Sequence, residues 1–245
     1  MKVAAIIQAR MGSTRLPGKI LKKVLDKTLL EYQIERVKKA TTINQIIVAT
    51  TTKLNDNPII ELCEQLSVPY YRGSEDDVLS RYYETATKFS VDVVVRLTSD
   101  CPIIDPDIID KVVSCYLKHQ NKYDYISNTL TRTYPRGLDT EVMPYRILKR
   151  TYEEANEPSY REHVTAYIYN NPGKFKMLNV QHDLDESKHR WTVDTKEDFI
   201  LIKKIITRLY PVNIQFSFID ILNLLKQEPD LFYINSHIEQ KKIGM

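Results

Sequence analysis

The 245-residue chain carries 35 basic and 32 acidic residues and a formal net charge of +3, a balance too even to indicate nucleic acid as a bulk partner. Hydrophobic residues (42%) and charged residues (27%) occur in the proportions of a globular protein in water, and no apolar run approaches the length of a membrane span. The three cysteines form no Cys-x-x-Cys pair, so we expect neither a disulfide framework nor a zinc site.

The first strand is predicted to begin after only two residues, which leaves no room for a signal peptide. Together with the cysteine usage, this predicts a cytoplasmic protein with no membrane insertion. A chain of this length is expected to form one large domain.

Short apolar runs alternate with amphipathic segments in the first half of the chain. The apolar runs predict buried strands at residues 3–7, 45–50, 68–72 and 91–97. The amphipathic segments predict helices at 29–39, 58–65, after residue 74, and 108–119, with Thr28 and Ser74 as N-caps. This alternation predicts an α/β fold with a mostly parallel sheet, right-handed crossovers and helices on both faces.

The alternation changes at residue 123. We predict strands at 123–128, 139–144, 175–180 and 189–194, and helices at 147–155, 161–170, 195–210 and 218–227. A polar tail follows, in which Lys241 and Lys242 are interpreted as solvated surface residues.

The segment 8–21 follows the first predicted strand and combines three cations, Arg10, Arg15 and Lys19, with two glycines. A basic, glycine-containing loop at the carboxyl edge of a parallel sheet suits anionic phosphate, although such a loop is often only a solvated connection. Five residues separate Gly12 from Gly18, so the segment is not a Walker A loop, and the dinucleotide-binding Gly-x-Gly-x-x-Gly pattern is absent. The segment is therefore a phosphate-type loop of neither common kind.

Two aspartates, Asp100 and Asp194, each follow a predicted strand. Each has an ordinary alternative, because Asp100 can cap the turn before Pro102 and Asp194 can cap the following helix. Carboxylate oxygens at strand ends are also the ligands that Mg²⁺ prefers.

With these features the chain resembles the ketodeoxyoctonate and acylneuraminate cytidylyltransferase superfamily, whose members activate acidic sugars. The most specific match is the ordered run at 7–10 and 13–21, and segments 72–81, 95–102, 161–165 and 192–198 resemble the branch named after spore-coat polysaccharide biosynthesis. The resemblance extends from residue 3 to about residue 200. The chain departs from the characterised sugar-acid enzymes in its middle region and at Gln8, where those enzymes usually carry proline.

The resemblance implies a Rossmann-like sheet of the nucleotide-diphospho-sugar transferase (GT-A-like) type with an inserted acceptor and dimerisation lobe. The single domain of residues 1–245 then divides into a nucleotide-binding half (1–122), an acceptor or lid lobe (123–188), and a segment with the second metal ligand and the C-terminal helices (189–245).

The resemblance also implies the site residues. Asp100 and Asp194 would hold Mg²⁺, and Arg10, Arg15, Lys19 and Asp100 would act in catalysis. Ser74 and Arg81 have alternatives as a helix cap and an exposed helix cation. The implied nucleotide-binding residues are Gln8, Ala9, Arg10, Gly12, Ser13, Arg15, Lys19, Thr50, Ser74 and Arg81.

Four residues of the middle lobe, Arg136, Glu141, Arg161 and His163, are candidates to bind a small anionic acceptor. Glu141 can instead pair with a neighbouring cation, and a lone histidine on a helix is usually structural. The resemblance further implies CTP as substrate and a homodimer.

The function expected is transfer of CMP from CTP to an acidic sugar or related acceptor, with release of pyrophosphate, for surface polysaccharide biosynthesis. A GT-A-like glycosyltransferase using an NDP-sugar donor is the alternative, but Asp100-Cys101-Pro102 lacks the second acid of an Asp-x-Asp pair. A nucleotide-binding scaffold is a third possibility, which the three loop cations and two acids make less attractive.

Overall fold

A computed structural model describes residues 1–240, so Lys241 and Lys242 lie outside the described residues. Seven strands form one sheet in the order β5-β4-β1-β6-β8-β7-β9, and β2 and β3 form a separate small hairpin that the sequence did not indicate. The strands are β1 Val3–Gln8, β2 Lys23–Val24, β3 Lys27–Thr28, β4 Gln45–Thr51, β5 Tyr70–Gly73, β6 Val93–Thr98, β7 Tyr125–Ser127, β8 Glu141–Pro144 and β9 Met177–Asn179.

The predicted mostly parallel sheet is confirmed. β1 pairs in parallel with β4 and β6, and β4 pairs in parallel with β5. β8 enters antiparallel between β6 and β7, and β9 runs parallel to β7. The antiparallel strand marks the place where the second half of the chain joins the first.

Helices cover both faces of the sheet, as predicted, because β1 is apolar on both sides. The helices are α1 Leu29–Val37, α2 Asn57–Gln65, α3 Val78–Lys88, α4 Pro106–His119, α5 Tyr145–Glu154, α6 Pro158–Glu162, α7 Ala166–Tyr169, α8 Lys196–Leu209, α9 Phe218–Gln227 and α10 Asp230–Tyr233. Val3, Ala5 and Ile7 pack in a core with α1, α2 and α4, whereas Ala4 and Ile6 pack with α3, α5 and α7.

One of the two predicted N-caps is confirmed and the other is wrong. Thr28 caps α1 through a capping box with Glu31. Asp77 caps α3 instead of Ser74, because its carboxylate accepts the Ser80 N–H at 2.8 Å. Ser74 lies one turn earlier, where its hydroxyl accepts the Asp77 N–H at 3.1 Å.

Two elements predicted in the second half are also wrong. The predicted helix 161–170 is divided into α6 and α7, which end and begin on either side of His163. The predicted strand 189–194 makes only an isolated bridge between Arg190 and Arg136. Its backbone N–H groups bond to two loops instead of to a neighbouring strand. Trp191 N–H donates to Arg136 O, and Val193 N–H donates to Asp100 O.

A third apolar cluster forms where Trp191 and Val193 pack against α8 and α9. It fixes the C-terminal helices against the loops at one edge of the sheet. None of the helices within residues 1–240 combines the length and the apolar character needed to cross a membrane.

We expect Gly137→Ala to destabilise the fold. Gly137 has a φ of +103°, and a Cβ there would lie 2.6 Å from the carbonyl carbon and oxygen of Trp191. The backbone must therefore shift, at a cost of about 1–3 kcal/mol in the free energy of unfolding. Urea denaturation monitored by circular dichroism measures this difference.

The matched control is Gly173→Ala, because a Cβ at Gly173 meets no atom within 4 Å. Equal unfolding free energies for the two variants would contradict the close approach of residues 137 and 191.

Candidate active site

The carboxyl ends of the central strands meet at one edge of the sheet. Gln8 at the end of β1 lies opposite Ala49 in β4 and Thr98 in β6. The loops that follow these strands therefore open side by side, at the edge where open α/β sheets bind ligands.

The basic loop 9–18 is fixed by buried contacts. Met11 N–H donates to the Asp56 carboxylate at 2.7 Å, and the Thr51 hydroxyl holds the other oxygen of Asp56. Gly18 adopts a left-handed φ of 64° and begins a short 3₁₀ turn in which Ile20 is buried. The loop cations are thus carried on an anchored segment.

The structure brings the loop cations to the predicted metal ligands. Lys19 Nζ lies 2.7 Å from Asp194 Oδ1 and 3.9 Å from Asp100 Oδ2. Arg15 Nη2 lies 3.0 Å from Asp194 Oδ2. Four residues that are far apart in sequence therefore form one cluster of charges, which we call the Lys19 cluster.

Asp100 is held as an ionised carboxylate. The Thr192 hydroxyl donates to its Oδ2 at 2.9 Å. Burial alone would raise the pKa of Asp100, but the charge of Lys19 and the hydrogen bond from Thr192 outweigh it, so this pKa lies below its ordinary value.

Two residues that the sequence did not single out hold Asp194. Arg190 Nη2 donates to Asp194 Oδ2 at 2.8 Å, and the backbone N–H of Asp194 donates to Asp198 at 2.9 Å. Asp198 is fully buried, and it also accepts from Arg190 Nε at 3.0 Å and from Asn235. Thr195-x-x-Asp198, the capping box of α8, was a visible signal for Asp198, but no local pattern indicated Arg190.

The two carboxylates suit a magnesium ion bound together with phosphate. No group of three or more histidine, cysteine, aspartate or glutamate side chains in residues 1–240 could hold a metal ion. Mg²⁺ often takes only one or two protein carboxylates and completes its shell with phosphate oxygens and water. Asp100 and Asp194, which approach the same Lys19 ammonium group, meet that requirement.

Arg10 lies apart from the Lys19 cluster. Its guanidinium is 3.8 Å from Glu75, which also contacts Lys53. A Cβ on Gly12 would lie 3.1 Å from the same Glu75 carboxylate. The absence of a side chain at Gly12 therefore lets Glu75 lie close to the loop backbone. Nearby, Ala9 is buried and the Ser13 hydroxyl accepts the Leu16 N–H at 3.4 Å.

Two predicted nucleotide-binding side chains, those of Thr50 and Arg81, make internal contacts or are sealed from solvent. The Thr50 hydroxyl is buried, and in residues 1–240 it has no hydrogen-bond partner. Arg81 is almost fully buried rather than an exposed helix cation, and its Nη1 donates to the Ser74 carbonyl. Arg81 therefore shapes the turn before α3.

The predicted acceptor residues do not form one group. Arg161 Nε donates to Asp77, the N-cap of α3, at 2.9 Å, which gives it a structural contact. His163 follows α6, where its N–H donates to Ser159 O. Glu141 is buried and pairs with Arg96, and the Tyr125 hydroxyl donates to it at 2.6 Å.

Among the predicted acceptor residues, Arg136 is the one whose side chain makes neither a hydrogen bond nor an ion pair within residues 1–240. Burial lowers its pKa, the charges of Arg132 and Arg190 lower it further, and the charge of Asp139 opposes this only in part. Arg132 is itself paired with Asp139 through two hydrogen bonds of 2.5 and 2.8 Å. A half-buried cation beside other cations is a site that favours an anion.

An α/β sheet that gathers cations and two carboxylates at its carboxyl edge is an arrangement suited to a phosphorylated nucleotide. The family model described as cytidylyltransferase matches residues 4–242. The chain belongs to the cytidylyltransferase family.

Individual relatives agree with this assignment over nearly the whole chain. An uncharacterized protein of Methanocaldococcus jannaschii is 41% identical over 98% of this chain and 97% of its own length. The spore coat polysaccharide biosynthesis protein SpsF of Bacillus subtilis is 32% identical over 92% of this chain and 94% of its own. The solved structure of a cytidylyltransferase from Leptospira borgpetersenii superposes with a TM-score of 0.91 at 35% identity, covering 99% of this chain and all of that one.

We expect Lys19→Ala to weaken binding of CTP far more than binding of CMP. Lys19 Nζ lies within 4 Å of both carboxylates, where the distal phosphates of a triphosphate would compete for it. Loss of one charge-assisted contact corresponds to a roughly 10- to 100-fold weaker CTP affinity. Isothermal titration calorimetry with CTP and CMP measures both affinities.

Lys23→Ala is the control, because Lys23 is an exposed cation outside the cluster. Equal losses of CTP and CMP affinity in Lys19→Ala would place Lys19 away from the distal phosphates.

Proposed function

We propose that this cytidylyltransferase transfers CMP from CTP to an acidic sugar or a closely related acid, depends on Mg²⁺, and releases pyrophosphate. The observation that carries the proposal is the Lys19 cluster, in which Lys19 and Arg15 meet Asp100 and Asp194 at the carboxyl edge of the sheet. The relative named for spore coat polysaccharide biosynthesis supports surface polysaccharide synthesis as the purpose of the reaction.

Nucleotidyl transfer needs no protein nucleophile, because an acceptor oxygen attacks the α-phosphorus and pyrophosphate leaves. The chain's tasks are to hold the two substrates in line and to neutralise phosphate charge. Lys19 and Arg15 would move from Asp194 to the phosphate oxygens, while Arg190 and Asp198 keep Asp194 in place. Mg²⁺ held by Asp100 and Asp194 would stabilise the charge that develops on the leaving oxygens.

The acidic character of the acceptor is supported by Arg136. Its half-buried guanidinium, which makes no hydrogen bond or ion pair within residues 1–240, lies in the same loop as Gly137, which contacts the segment leading to Asp194. A carboxylate is a planar anion that matches the guanidinium fork. The predicted acceptor role of Arg161 is the least supported of the four, since Asp77 already pairs with it.

Membership of the cytidylyltransferase family does not favour the alternative glycosyltransferase. The two acids of the cluster come from positions 100 and 194 and not from one Asp-x-Asp pair. The predicted homodimer stays a prediction.

The direct test is pyrophosphate release. We expect the chain with CTP and Mg²⁺ to release pyrophosphate in the presence of at least one acid from a panel that includes 3-deoxy-manno-octulosonate and N-acetylneuraminate. Mass spectrometry should identify the corresponding CMP-linked product. Parallel reactions with ATP, GTP and UTP serve as controls for the base, and turnover of a UDP-sugar without turnover of CTP would contradict the proposal.

We expect Asp100→Asn to abolish turnover while the fold is retained. Removal of one charged group that acts on the transition state costs about 3–4 kcal/mol, or roughly 10²- to 10³-fold in kcat. The same variant should lose the part of CTP affinity that depends on Mg²⁺, measured by calorimetry with and without the ion.

Asp107→Asn is the matched control, since Asp107 is exposed on α4 and lies outside the site. Asp100→Asn with unchanged turnover and unchanged Mg²⁺ dependence would refute the metal assignment.

A further inference from the structure

A pair of opposite charges lies on a largely apolar face of the sheet. Arg96 in β6 is directly opposite Glu141 in β8, and the two side chains form an ion pair with only 15% and 9% of their surfaces exposed. The neighbours on this face include Ile6, Val94 and Met143. Desolvating two charges is costly, and packed apolar residues would often be as stable, so stability alone gives little reason for the pair.

The pair is connected to the first residue of the phosphate-type segment. Arg96 Nη2 donates to Gln8 Oε1 at 3.3 Å. A guanidinium group can only donate hydrogen bonds, so the amide oxygen of Gln8 must face Arg96. The hydrogen bond from Arg96 therefore determines that the oxygen of the Gln8 amide, and not its nitrogen, faces the guanidinium.

This orientation directs the Gln8 NH₂ group away from Arg96. Gln8 is only half buried, and within residues 1–240 its NH₂ group has no hydrogen-bond partner and is not sealed from solvent. Gln8 ends the central strand β1, whose neighbours are β4 and β6, and β6 separates β1 from β8 of the acceptor lobe. Two N–H donors are thus available at the carboxyl end of β1.

The contacts of Gln8 lead to the acceptor lobe and not to the Lys19 cluster. Glu141 begins β8, and its second oxygen accepts from Tyr125 in β7. In the part of the chain that the structure describes, neither Gln8 nor Arg96 makes a hydrogen bond or ion pair with a member of the Lys19 cluster.

We propose that Gln8 is a specificity-determining residue whose side-chain NH₂ donates a hydrogen bond to an oxygen of the acceptor, and that Arg96 and Glu141 are positioning residues that fix its amide. The inference rests on the proposed function, because it assumes an oxygen-rich acceptor beside the nucleotide.

The first test is Gln8→Met, which keeps the side-chain length and removes the donor. With 3-deoxy-manno-octulosonate, or the panel acid of highest turnover, we expect kcat/KM for the acceptor to fall about 10-fold or more. The Kd for CTP, measured by calorimetry, should change less than twofold. An equal loss of CTP affinity would place the donor on the nucleotide and overturn the proposal.

The second test separates positioning from structural support. Arg96→Lys retains a positive charge beside Glu141, but its ammonium group lacks the reach and fork of the guanidinium. We expect Arg96→Lys to lower kcat/KM for the acceptor as Gln8→Met does, and the double variant to be no worse than either single variant. Effects that multiply would contradict a shared mechanism.

Ile147→Val is the control for general destabilisation, because the Ile147 side chain is apolar and buried in the same apolar cluster. It should lower the free energy of unfolding by about 1 kcal/mol and leave kcat/KM unchanged. Wild-type kcat/KM in Gln8→Met would overturn this inference and leave the proposed function intact. Absence of pyrophosphate release by the unaltered chain with every acid would contradict the proposed function and this inference with it.

Discussion

The site depends on the ion pair between Lys19 and Asp194, which joins residues 175 positions apart in sequence at 2.7 Å. It connects the phosphate-type loop to the segment before α8, and Asp100 from the end of β6 approaches the same ammonium group at 3.9 Å. Like charges repel, and the ammonium group that both carboxylates approach offsets that repulsion. Lys19 therefore makes the convergence of Asp100 and Asp194 electrostatically acceptable.

In the proposed reaction, the same cations exchange partners. The phosphates of CTP would draw Lys19 and Arg15 away from Asp194, whose Oδ1 would then be available to hold a divalent cation while Oδ2 still accepts from Arg190. Arg190 and Asp198 do not take part in that exchange, because Asp198 is fully buried and holds both Arg190 and the backbone of Asp194. In this proposal Lys19 and Arg15 change partners, whereas Asp194 stays in place.

The residues proposed to act on the acceptor are arranged differently. Arg96 and Glu141 form an ion pair between β6 and β8, whereas the Arg136 guanidinium makes no hydrogen bond or ion pair among the described residues. The first arrangement orients a neutral amide at Gln8, and the second leaves a cation ready for an anion. Together they suit an acceptor that carries both hydroxyl groups and a carboxylate.

The sequence by itself determined the features that depend on neighbours along the chain. Apolar runs with β-branched residues gave the parallel strands around β1, and the capping boxes at Thr28 and Thr195 fixed the starts of α1 and α8. Asp77 caps α3 where Ser74 was predicted to do so, because the Asp77 carboxylate, three residues further on, meets the free N–H of Ser80. Local periodicity also suggested a strand at 189–194, but its hydrogen-bonding groups are taken by Arg136 and Asp100.

Only the tertiary structure decided which charges meet. The pairing of Arg190 with Asp194 and Asp198, of Arg161 with Asp77, and of Arg96 with Glu141 and Gln8 has no spacing or motif that reveals it. Hydrophobic periodicity recurs along the chain and can therefore be recognised in the sequence. An ion pair involves only two side chains, and only the fold brings them together. The resemblance assigned the phosphate-type loop and the two acids to one reaction, and the fold shows which of them meet. Lys19 and Arg15 lie beside Asp194, whereas Arg10 lies apart beside Glu75.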